Sequence, residues 1–312
     1  MSLVELALKK LQDSRKAARG EMRPEPPLGV LREVETPAAA DGDSTIRTRP
    51  RRVVQLDRAA LIRAGFLPPD SKQRQIADQF RHVKRPLLAA ALGRGMEPVA
   101  NGRMIMLASS FPGEGKTFVS VNLALSISLE RDISVVLVDA DVAKPHISRL
   151  FGIDGEPGLL EALQDDKLDV ESLILPTDIP KFSVLPAGKP SDTATELLAS
   201  RRMQAIVSRL SASRDRTRVV IFDSPPLLLT SESRVLAQPM GQVVLIVHAG
   251  KTPQHAVHDA INCLGEGKPI ALLLNQSSAV TEAGYYYRDG AYGAYGRYGG
   301  SSAADASSGG PQ

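Results

Sequence analysis

The stretch Ser109-Ser110-Phe111-Pro112-Gly113-Glu114-Gly115-Lys116-Thr117 decides the fold of this 312-residue chain. It follows the apolar run Met104–Ala108 and precedes a helical pattern over 116–130, so the sequence predicts a glycine-rich loop between a strand and a helix. Backbone N–H groups of such a loop can approach phosphate oxygens, and the helix N-terminus adds a positive dipole end. The pattern G-x-x-x-x-G-K-[ST] would place glycine at position 110, where this chain has Ser110. For the loop taken alone, a purely structural glycine-rich turn is the alternative.

The loop residues have distinct expected roles around a bound nucleotide. Lys116 is expected to bridge the β- and γ-phosphates, and the hydroxyl of Thr117 is expected to bind Mg²⁺. The other positions predicted to contact the nucleotide are Pro112, Gly113, Glu114, Gly115 and Phe118.

Two further apolar strands end in carboxylates. Val135–Asp139 is followed closely by Asp141, and Val219–Asp223 leads into Ser224-Pro225-Pro226. In open α/β sheets, ligands bind outside the carboxyl ends of the strands, so these strand ends and the loop can converge on one phosphate chain. A single Asp at a strand end is equally typical of a turn. Three such features at this spacing indicate nucleotide binding.

The remaining pattern predicts a doubly wound α/β fold of the P-loop NTPase type, with a mostly parallel sheet and helices on both faces. Short, nearly continuous apolar runs are typical of strands that are buried on both faces. A helix is also predicted over 71–92, where Pro86 should kink or end it. The predicted strands are Met104–Ala108, Ser134–Asp139, Phe182–Pro186, Val219–Asp223, Val243–His248 and Ile270–Asn275, and the other helices are 116–130, 194–213 and 253–265.

Composition divides the chain into four predicted regions. Residues 1–17 read as a short amphipathic helix, and 18–70 as a disordered basic linker that is rich in proline and charge. The P-loop domain is predicted over 71–280, and a disordered Gly/Ala/Ser/Tyr tail over 281–312. The net charge is +7 over 1–100 and −4 over the remainder.

Several classes of protein are disfavoured by what the sequence lacks. The chain has one cysteine, Cys263, so a disulfide framework and a CxxC iron–sulfur or redox site are excluded. No apolar stretch approaches the roughly 18 residues of a membrane span, and no signal peptide is recognisable. The sequence therefore predicts a cytoplasmic protein.

All six tyrosines lie in the C-terminal tail, where no packed core can form. Hydroxyl-bearing rings on a flexible tether, attached to a nucleotide-binding domain, suggest that the tail is the substrate of its own domain. The predicted phosphoacceptors are Tyr285, Tyr286, Tyr287, Tyr292, Tyr295 and Tyr298.

The loop, the Asp139-Ala140-Asp141 strand end, the Phe222-Asp223-Ser224-Pro225-Pro226 segment and the tyrosine cluster together resemble the bacterial tyrosine kinases (BY-kinases) of exopolysaccharide and capsule synthesis. The opening Met1-Ser2-Leu3-Val4-Glu5-Leu6-Ala7-Leu8 resembles the free-standing autokinases of exosortase-linked loci. The resemblance covers about residues 76–298 and, more weakly, 1–16.

This resemblance implies an activity and a set of partners. It implies a protein-tyrosine kinase that uses ATP and Mg²⁺ to phosphorylate its own C-terminal cluster, between subunits of a homo-oligomeric ring. The implied partners are a membrane-embedded polysaccharide co-polymerase (a chain-length determinant protein) and a protein-tyrosine phosphatase, with no nucleic acid. The protein would associate peripherally with the inner membrane through its partner and regulate exopolysaccharide polymerisation and export.

The resemblance also implies roles for individual residues. Lys116 and Thr117 match the phosphate-loop Lys and the Mg²⁺-binding hydroxyl. Asp139 is expected nearest the incoming tyrosine hydroxyl, as orienting group or base, while Asp141 and Asp223 hold the Mg²⁺ water shell. The ring-contact pattern Glu-x-x-Arg-x-x-Arg appears here as Asp78-x-x-Arg81-x-x-Lys84.

Two alternatives remain open at this point. One is a P-loop switch ATPase of the partition or division-site type, although such proteins carry lysine where this chain has Phe111 and have no tyrosine tail. The other is a nonenzymatic nucleotide-binding scaffold with a self-associating tail. Asn275, at the end of the last predicted strand, is expected either to read adenine or to form a turn.

Overall fold

The computed structural model describes residues 26–34, 51–67, 74–95, 97–213, 215–265 and 267–277. The predicted helix over 1–17 and the tyrosine segment 281–312 lie outside these residues. The main compact unit extends to Gln276, close to the predicted end of the P-loop domain.

A seven-stranded sheet forms the centre of the molecule, in the spatial order β5-β6-β4-β7-β3-β8-β9. All neighbouring pairs are parallel except β5 with β6, and every strand predicted from the sequence is present within one residue of its predicted bounds. The strands are β1 Gly29–Val34, β2 Arg51–Leu56, β3 Met104–Ser109, β4 Val135–Asp139, β5 Leu175–Pro176, β6 Phe182–Leu185, β7 Val219–Asp223, β8 Gln242–His248 and β9 Ile270–Asn275.

Helices connect these strands and cover the sheet. The predicted helix 194–213 is divided into α6 and α7, and α2 continues through Pro86 rather than ending there. None of the helices in the described parts of the chain combines the length and the apolar character needed to cross a bilayer. The helices are α1 Arg58–Arg63, α2 Arg74–Leu92, α3 Lys116–Ser128, α4 His146–Leu150, α5 Leu159–Gln164, α6 Ala194–Leu198, α7 Arg201–Ser211, α8 Glu232–Ala237 and α9 Gln254–Leu264, with a 3-10 turn at Val170–Leu173.

The two faces of the sheet carry separate hydrophobic clusters. In β3, Ile105 and Leu107 belong to one cluster, whereas Met104 and Met106 belong to the other. Residues of α1–α4 pack in the first cluster and residues of α5–α9 in the second. Since successive side chains of a strand point to opposite faces, this division places helices on both faces of the sheet. The doubly wound P-loop fold predicted from the sequence is thereby confirmed.

The prediction of a disordered linker over 18–70 is wrong for the residues that form β1, β2 and α1. β1 and β2 pair as an antiparallel hairpin, and Val54 of β2 forms a parallel bridge with Thr177, next to β5. The N–H of Asp178 donates to the carbonyl of Val54 at 3.0 Å, and the carboxylate of Asp178 accepts from the N–H of Leu56 at 3.0 Å. The hairpin therefore lies at the β5 end of the sheet. β1 and β2 are short, and β2 is fixed to the domain by Asp178, 122 residues after Leu56, so local sequence gave no signal for the hairpin.

The segment after the hairpin packs on the helix that follows the phosphate loop. The ring of Phe66 lies 5.6 Å from the ring of Phe118, and the N–H of Leu67 donates to the side chain of Asn122 at 2.8 Å. The folded domain consequently begins N-terminal to the predicted boundary at residue 71.

Lys84, the last residue of the predicted ring-contact pattern, is used inside the fold. Its ammonium group is 2.6 Å from the carbonyl of Ser126 and 2.8 Å from the carboxylate of Glu130, and its side chain is buried. Since a cation near the C-terminus of a helix is favourable, Lys84 attaches α2 to the end of α3. Arg81, in contrast, is exposed and forms an ion pair with Asp78.

Candidate nucleotide-binding site

The phosphate loop joins β3 to α3 and needs glycine at two positions. Gly113 and Gly115 have φ values of 82° and 93°, in the left-handed region that residues with a Cβ rarely adopt. A Cβ on Gly115 would also clash with the side-chain nitrogen of Asn275. Ser110 occupies the position where the pattern asks for glycine, and its buried hydroxyl donates to the carbonyl of Ala256 at 3.2 Å. The substitution is therefore accommodated by a hydrogen bond to α9.

Thr117 and Asp223 meet at the start of α3, as the sequence predicts. The hydroxyl of Thr117 donates to Oδ2 of Asp223 at 2.7 Å, and that of Ser120 donates to Oδ1 at 3.0 Å. Burial raises the pKa of Asp223, while the positive charge of Lys116 and the two hydroxyl groups oppose that rise. Lys116 itself opens α3 and lines the cleft beside the loop. Ser120 was not predicted, because a serine one turn into a helix has no distinctive sequence signal.

Asp141 lies at the cleft, with one oxygen held by the chain. Its Oδ1 accepts from the N–H of Lys144 at 3.1 Å, and the residue lines the same cleft as Lys116. Burial raises the pKa of Asp141, and the charge of Lys116 is the largest influence in the opposite direction.

Asp139 is fully buried and does not line the cleft. Its Oδ2 accepts from the N–H and the hydroxyl of Ser148 at 2.8 and 2.7 Å, while Oδ1 has no hydrogen-bond partner. Burial raises the pKa of Asp139 to about 7; the bonds from Ser148 oppose this, and the charges of Asp223 and Asp141 add to it. This placement does not support the expectation that Asp139 is the group nearest the incoming hydroxyl. Of the two carboxylates at the end of β4, Asp141 is the one at the cleft.

The oxygen atoms beside the loop fit a magnesium ion. Asp139 and Asp223 are direct neighbours on the paired strands β4 and β7, the hydroxyl of Thr117 is bonded to Asp223, and Oδ1 of Asp139 is buried without a partner. Mg²⁺ prefers such oxygen ligands, and at nucleotide sites it takes one or two carboxylates together with phosphates and water. Among the described residues there is no cluster of three or more His, Cys, Asp or Glu side chains suited to a metal. The donor set therefore fits a Mg²⁺ that arrives with a nucleotide.

Glu114 holds the loop in shape. Its buried carboxylate accepts from the N–H of Phe111 at 3.0 Å and from the hydroxyl of Thr252, which lies between β8 and α9. The side-chain amide of Asn275 donates to the backbone carbonyl of Glu114 at 2.9 Å. One N–H of the Asn275 side chain is thus used on the loop, while its expected adenine-reading role stays a prediction. Thr252 was missed because it is 138 residues from Glu114 in the sequence.

A cleft of about 350 Å³ lies beside the loop. One wall is formed by the loop and the start of α3, including the predicted Pro112, Gly113, Gly115, Lys116, Thr117 and Phe118. The opposite wall comes from the segments that follow β4 and β7, namely Asp141, Ala143, Lys144, His146, Pro225, Pro226, Leu229 and Thr230. The structure thus brings the loop and the predicted strand ends together at one edge of the sheet.

Known proteins are similar to this chain in fold and in sequence. The protein-family profile described as "ParA: NUBPL iron-transfer P-loop NTPase" matches residues 101–232, which contain the loop and the β4 and β7 carboxylates. Among solved structures, "The kinase domain of Escherichia coli tyrosine kinase ETK" superposes with a TM-score of 0.54 at 26% identity, over 67% of this chain and 80% of that one.

Similar sequences include proteins that are named as tyrosine kinases. The tyrosine-protein kinase YwqD of Bacillus subtilis is 28% identical over 67% of this chain and 86% of its own length. The tyrosine-protein kinase ptk of Acinetobacter johnsonii is 30% identical over 52% of this chain, but the match spans only 22% of that longer protein. These similarities confirm the resemblance read from the loop and the two carboxylate motifs.

Proposed function

We propose that this chain, a relative of the bacterial tyrosine kinases, is an ATP-dependent protein-tyrosine autokinase that phosphorylates its own C-terminal tyrosine cluster. The observation that carries the proposal is the hydrogen bond from Thr117 to Asp223, next to Lys116 at the N-terminus of α3. It joins the Mg²⁺-binding hydroxyl to a carboxylate at the place where the phosphates of ATP would bind.

The proposed reaction moves one phosphoryl group. The phenolic oxygen of a tyrosine forms a bond to the γ-phosphorus, the bond from that phosphorus to the β,γ-bridging oxygen breaks, and ADP leaves. The phenolic proton passes to a carboxylate, and we assign this role to Asp141 because it lines the cleft. Lys116 neutralises the charge on the transferred group, which is the main demand of phosphoryl transfer.

Thr117 and Asp223 would hold the magnesium ion, with the unpartnered oxygen of Asp139 behind them. When bound, the ion neutralises the negative charge that the β- and γ-phosphates bring into this buried, carboxylate-rich site.

The biological setting is also part of the proposal. We place the chain at the inner membrane, in the cytoplasm, bound to a membrane-embedded polysaccharide co-polymerase and opposed by a tyrosine phosphatase. Transfer between the subunits of a ring would raise the local concentration of acceptor tails, and so regulate exopolysaccharide polymerisation. Since Lys84 is buried against α3, the exposed Arg81 and Asp78 are the members of the ring-contact pattern that remain for such an assembly.

A switch ATPase is the second candidate, and the family profile that covers the loop favours it. Such a protein would hydrolyse ATP without producing phosphotyrosine. Phe111 stands where those proteins carry lysine, and its N–H is bonded to Glu114. The iron transfer in the description of the profile belongs to other members, since this chain has a single cysteine.

Phosphate mapping by mass spectrometry after incubation with ATP and Mg²⁺ tests the kinase proposal. The wild-type chain should carry phosphate on tail tyrosines, and Lys116→Met should carry none because the charge on the phosphoryl group is no longer neutralised. Lys167→Met, an equal change at an exposed position away from the cleft, is the matched control and should behave as wild type.

A mixing experiment separates transfer between chains from transfer within one chain. Lys116→Met protein with its tail intact is incubated with active protein whose six tyrosines are phenylalanine. Phosphate is expected on the Lys116→Met chain. Full phosphorylation of folded Lys116→Met protein alone, or ATP hydrolysis with no phosphotyrosine in the wild type, would contradict the kinase assignment.

A further inference from the structure

The cleft wall formed by Pro225, Pro226 and Leu229 carries no side-chain atom that could bind phosphate or a metal ion. We infer that this wall is the binding site for the ring of the acceptor tyrosine, an inference that rests on the proposed kinase function. Leu229 is 62% exposed although it is a large hydrophobic side chain at the mouth of a polar site. Such an exposed apolar surface beside convergent polar groups is typical of a place where an apolar group binds.

The wall is rigidly attached to the phosphate loop. The N–H groups of Leu227 and Leu228 donate to the carbonyls of Ser109 and Ser110 at 2.8 and 3.3 Å. The hydroxyl of Ser224 donates to the carbonyl of Leu107 at 2.8 Å. Because its backbone is fixed to β3 on one side of the prolines and to the start of the loop on the other, the wall is held in position relative to the loop.

The order of the strands places this wall at the γ-phosphate end of the site. β7 and β4 lie on one side of β3, whereas β8 and β9 lie on the other. Asn275 contacts the loop from the β9 side, while the Thr117–Asp223 pair lies on the β7 side. Since Thr117 and Asp223 would hold the ion that neutralises the β- and γ-phosphates, the γ-phosphate is expected toward β7 and β4. An attacking hydroxyl must approach from that side, where the wall and Asp141 line the cleft.

The chemistry of the wall fits a phenol ring on a slender segment. Proline rings and a leucine side chain offer apolar contact to a flat ring, whereas Lys144 and His146 on the same cleft supply polar and cationic groups near the phosphate. In the sequence, Tyr292 and Tyr295 are flanked on both sides by glycine or alanine, so their rings can approach without bulky neighbours.

The tyrosine-bearing segment starts close to the loop. Gln276, one residue before the end of the described chain, donates from its side chain to the carbonyl of Gly113 at 3.5 Å. The next tyrosine in the sequence is Tyr285, and nine residues can span up to about 30 Å. The segment that follows Gln276, supplied by a neighbouring copy of the chain as in the proposed ring, is the occupant to which we commit.

Steady-state kinetics with a peptide acceptor test the inference. The acceptor is a synthetic peptide of residues 283–298, and the enzyme is the full-length chain with ATP and Mg²⁺. Leu229→Ala removes apolar contact with the ring, so the apparent KM for the peptide should rise about tenfold. Leu229→Met keeps the apolar surface and should stay within about twofold of wild type. Leu272→Ala is the matched control, since Leu272 is 59% exposed on β9 and is not part of this cleft.

The dissociation constant of a fluorescent ATP analogue separates acceptor binding from nucleotide binding. It should change by less than about twofold in every variant, because only the acceptor has lost contacts. A peptide KM for Leu229→Ala equal to that of Leu272→Ala would overturn the inference and leave the kinase function standing. A parallel tenfold loss of analogue affinity would also overturn it, because Leu229 would then hold the nucleotide. Absence of any transfer by the wild-type chain would refute the kinase function and the inference together.

Discussion

Replacing Leu61 with alanine is expected to lower the free energy of unfolding by about 3 kcal/mol, the middle of the range for buried leucines. Leu61 is 1% exposed and packs in the same hydrophobic cluster as residues of α3 and as Ile105 and Leu107 of β3. The loss combines the transfer of the removed carbons to water with the cavity that they leave. A leucine in a disordered linker would change the free energy by less than about 0.5 kcal/mol. The variant therefore asks directly whether the segment after β2 is part of the folded domain.

Urea denaturation followed by circular dichroism measures this change in the free energy of unfolding. The midpoint should fall while the dependence of the free energy on urea stays constant, as expected for a change in stability alone. Leu272→Ala, an identical change at an exposed position of β9, is the control and should leave the midpoint near the wild-type value. If Leu61→Ala and Leu272→Ala unfold at the same urea concentration, the packing of 51–67 on the domain is wrong.

Three further predictions concern the loop and the carboxylates around it. Burial raises the pKa of Asp139 to about 7. Between about pH 4 and 7, the folded, nucleotide-free chain therefore keeps a proton on Asp139 that the unfolded chain has already released. The free energy of unfolding should fall by up to about 4 kcal/mol as pH rises through that window. Asp139→Asn should remove this part of the pH dependence, as measured by thermal unfolding. Identical pH profiles of the wild-type and Asp139→Asn proteins would contradict the prediction. Thr252→Val leaves a carboxylate oxygen of Glu114 without its hydroxyl donor, so ATP affinity should fall about tenfold by fluorescence titration, whereas Thr252→Ser should retain it. Gly115→Ala places a Cβ against the side chain of Asn275 at a residue with positive φ. The variant should lose nucleotide binding while circular dichroism shows that it remains folded. Normal nucleotide binding by this variant would refute the loop geometry.

Much of the central sheet could be predicted because it is coded locally. Each strand from β3 to β9 that was predicted is a short apolar run, because burial on both faces leaves little room for polar residues. The meeting of Thr117 with Asp223 also followed from the sequence, because the carboxyl ends of parallel strands share one edge of the sheet.

The features that were missed depend on contacts between distant residues. β2 is stabilised by Asp178, more than a hundred residues away, and the sequence of neither segment predicts this contact. The difference between Asp139 and Asp141 is equally hidden, since both follow the same apolar run. Only the packing of Ser148 against β4 shows that Asp139 is enclosed while Asp141 remains at the cleft.

The hairpin of β1 and β2 also protects the edge of the sheet next to β5. A strand edge with unpaired N–H and C=O groups is a template for pairing with another chain, and the bridge from Val54 to Thr177 occupies backbone groups there. A truncated chain that begins at residue 71, where the sequence predicts the start of the domain, would expose this edge together with the apolar residues beneath the hairpin. Such a protein should associate in a concentration-dependent way even with an intact nucleotide site. Shortened forms that avoid this association through the sheet edge should therefore begin before Gly29, at the opposite end of the chain from the tyrosines.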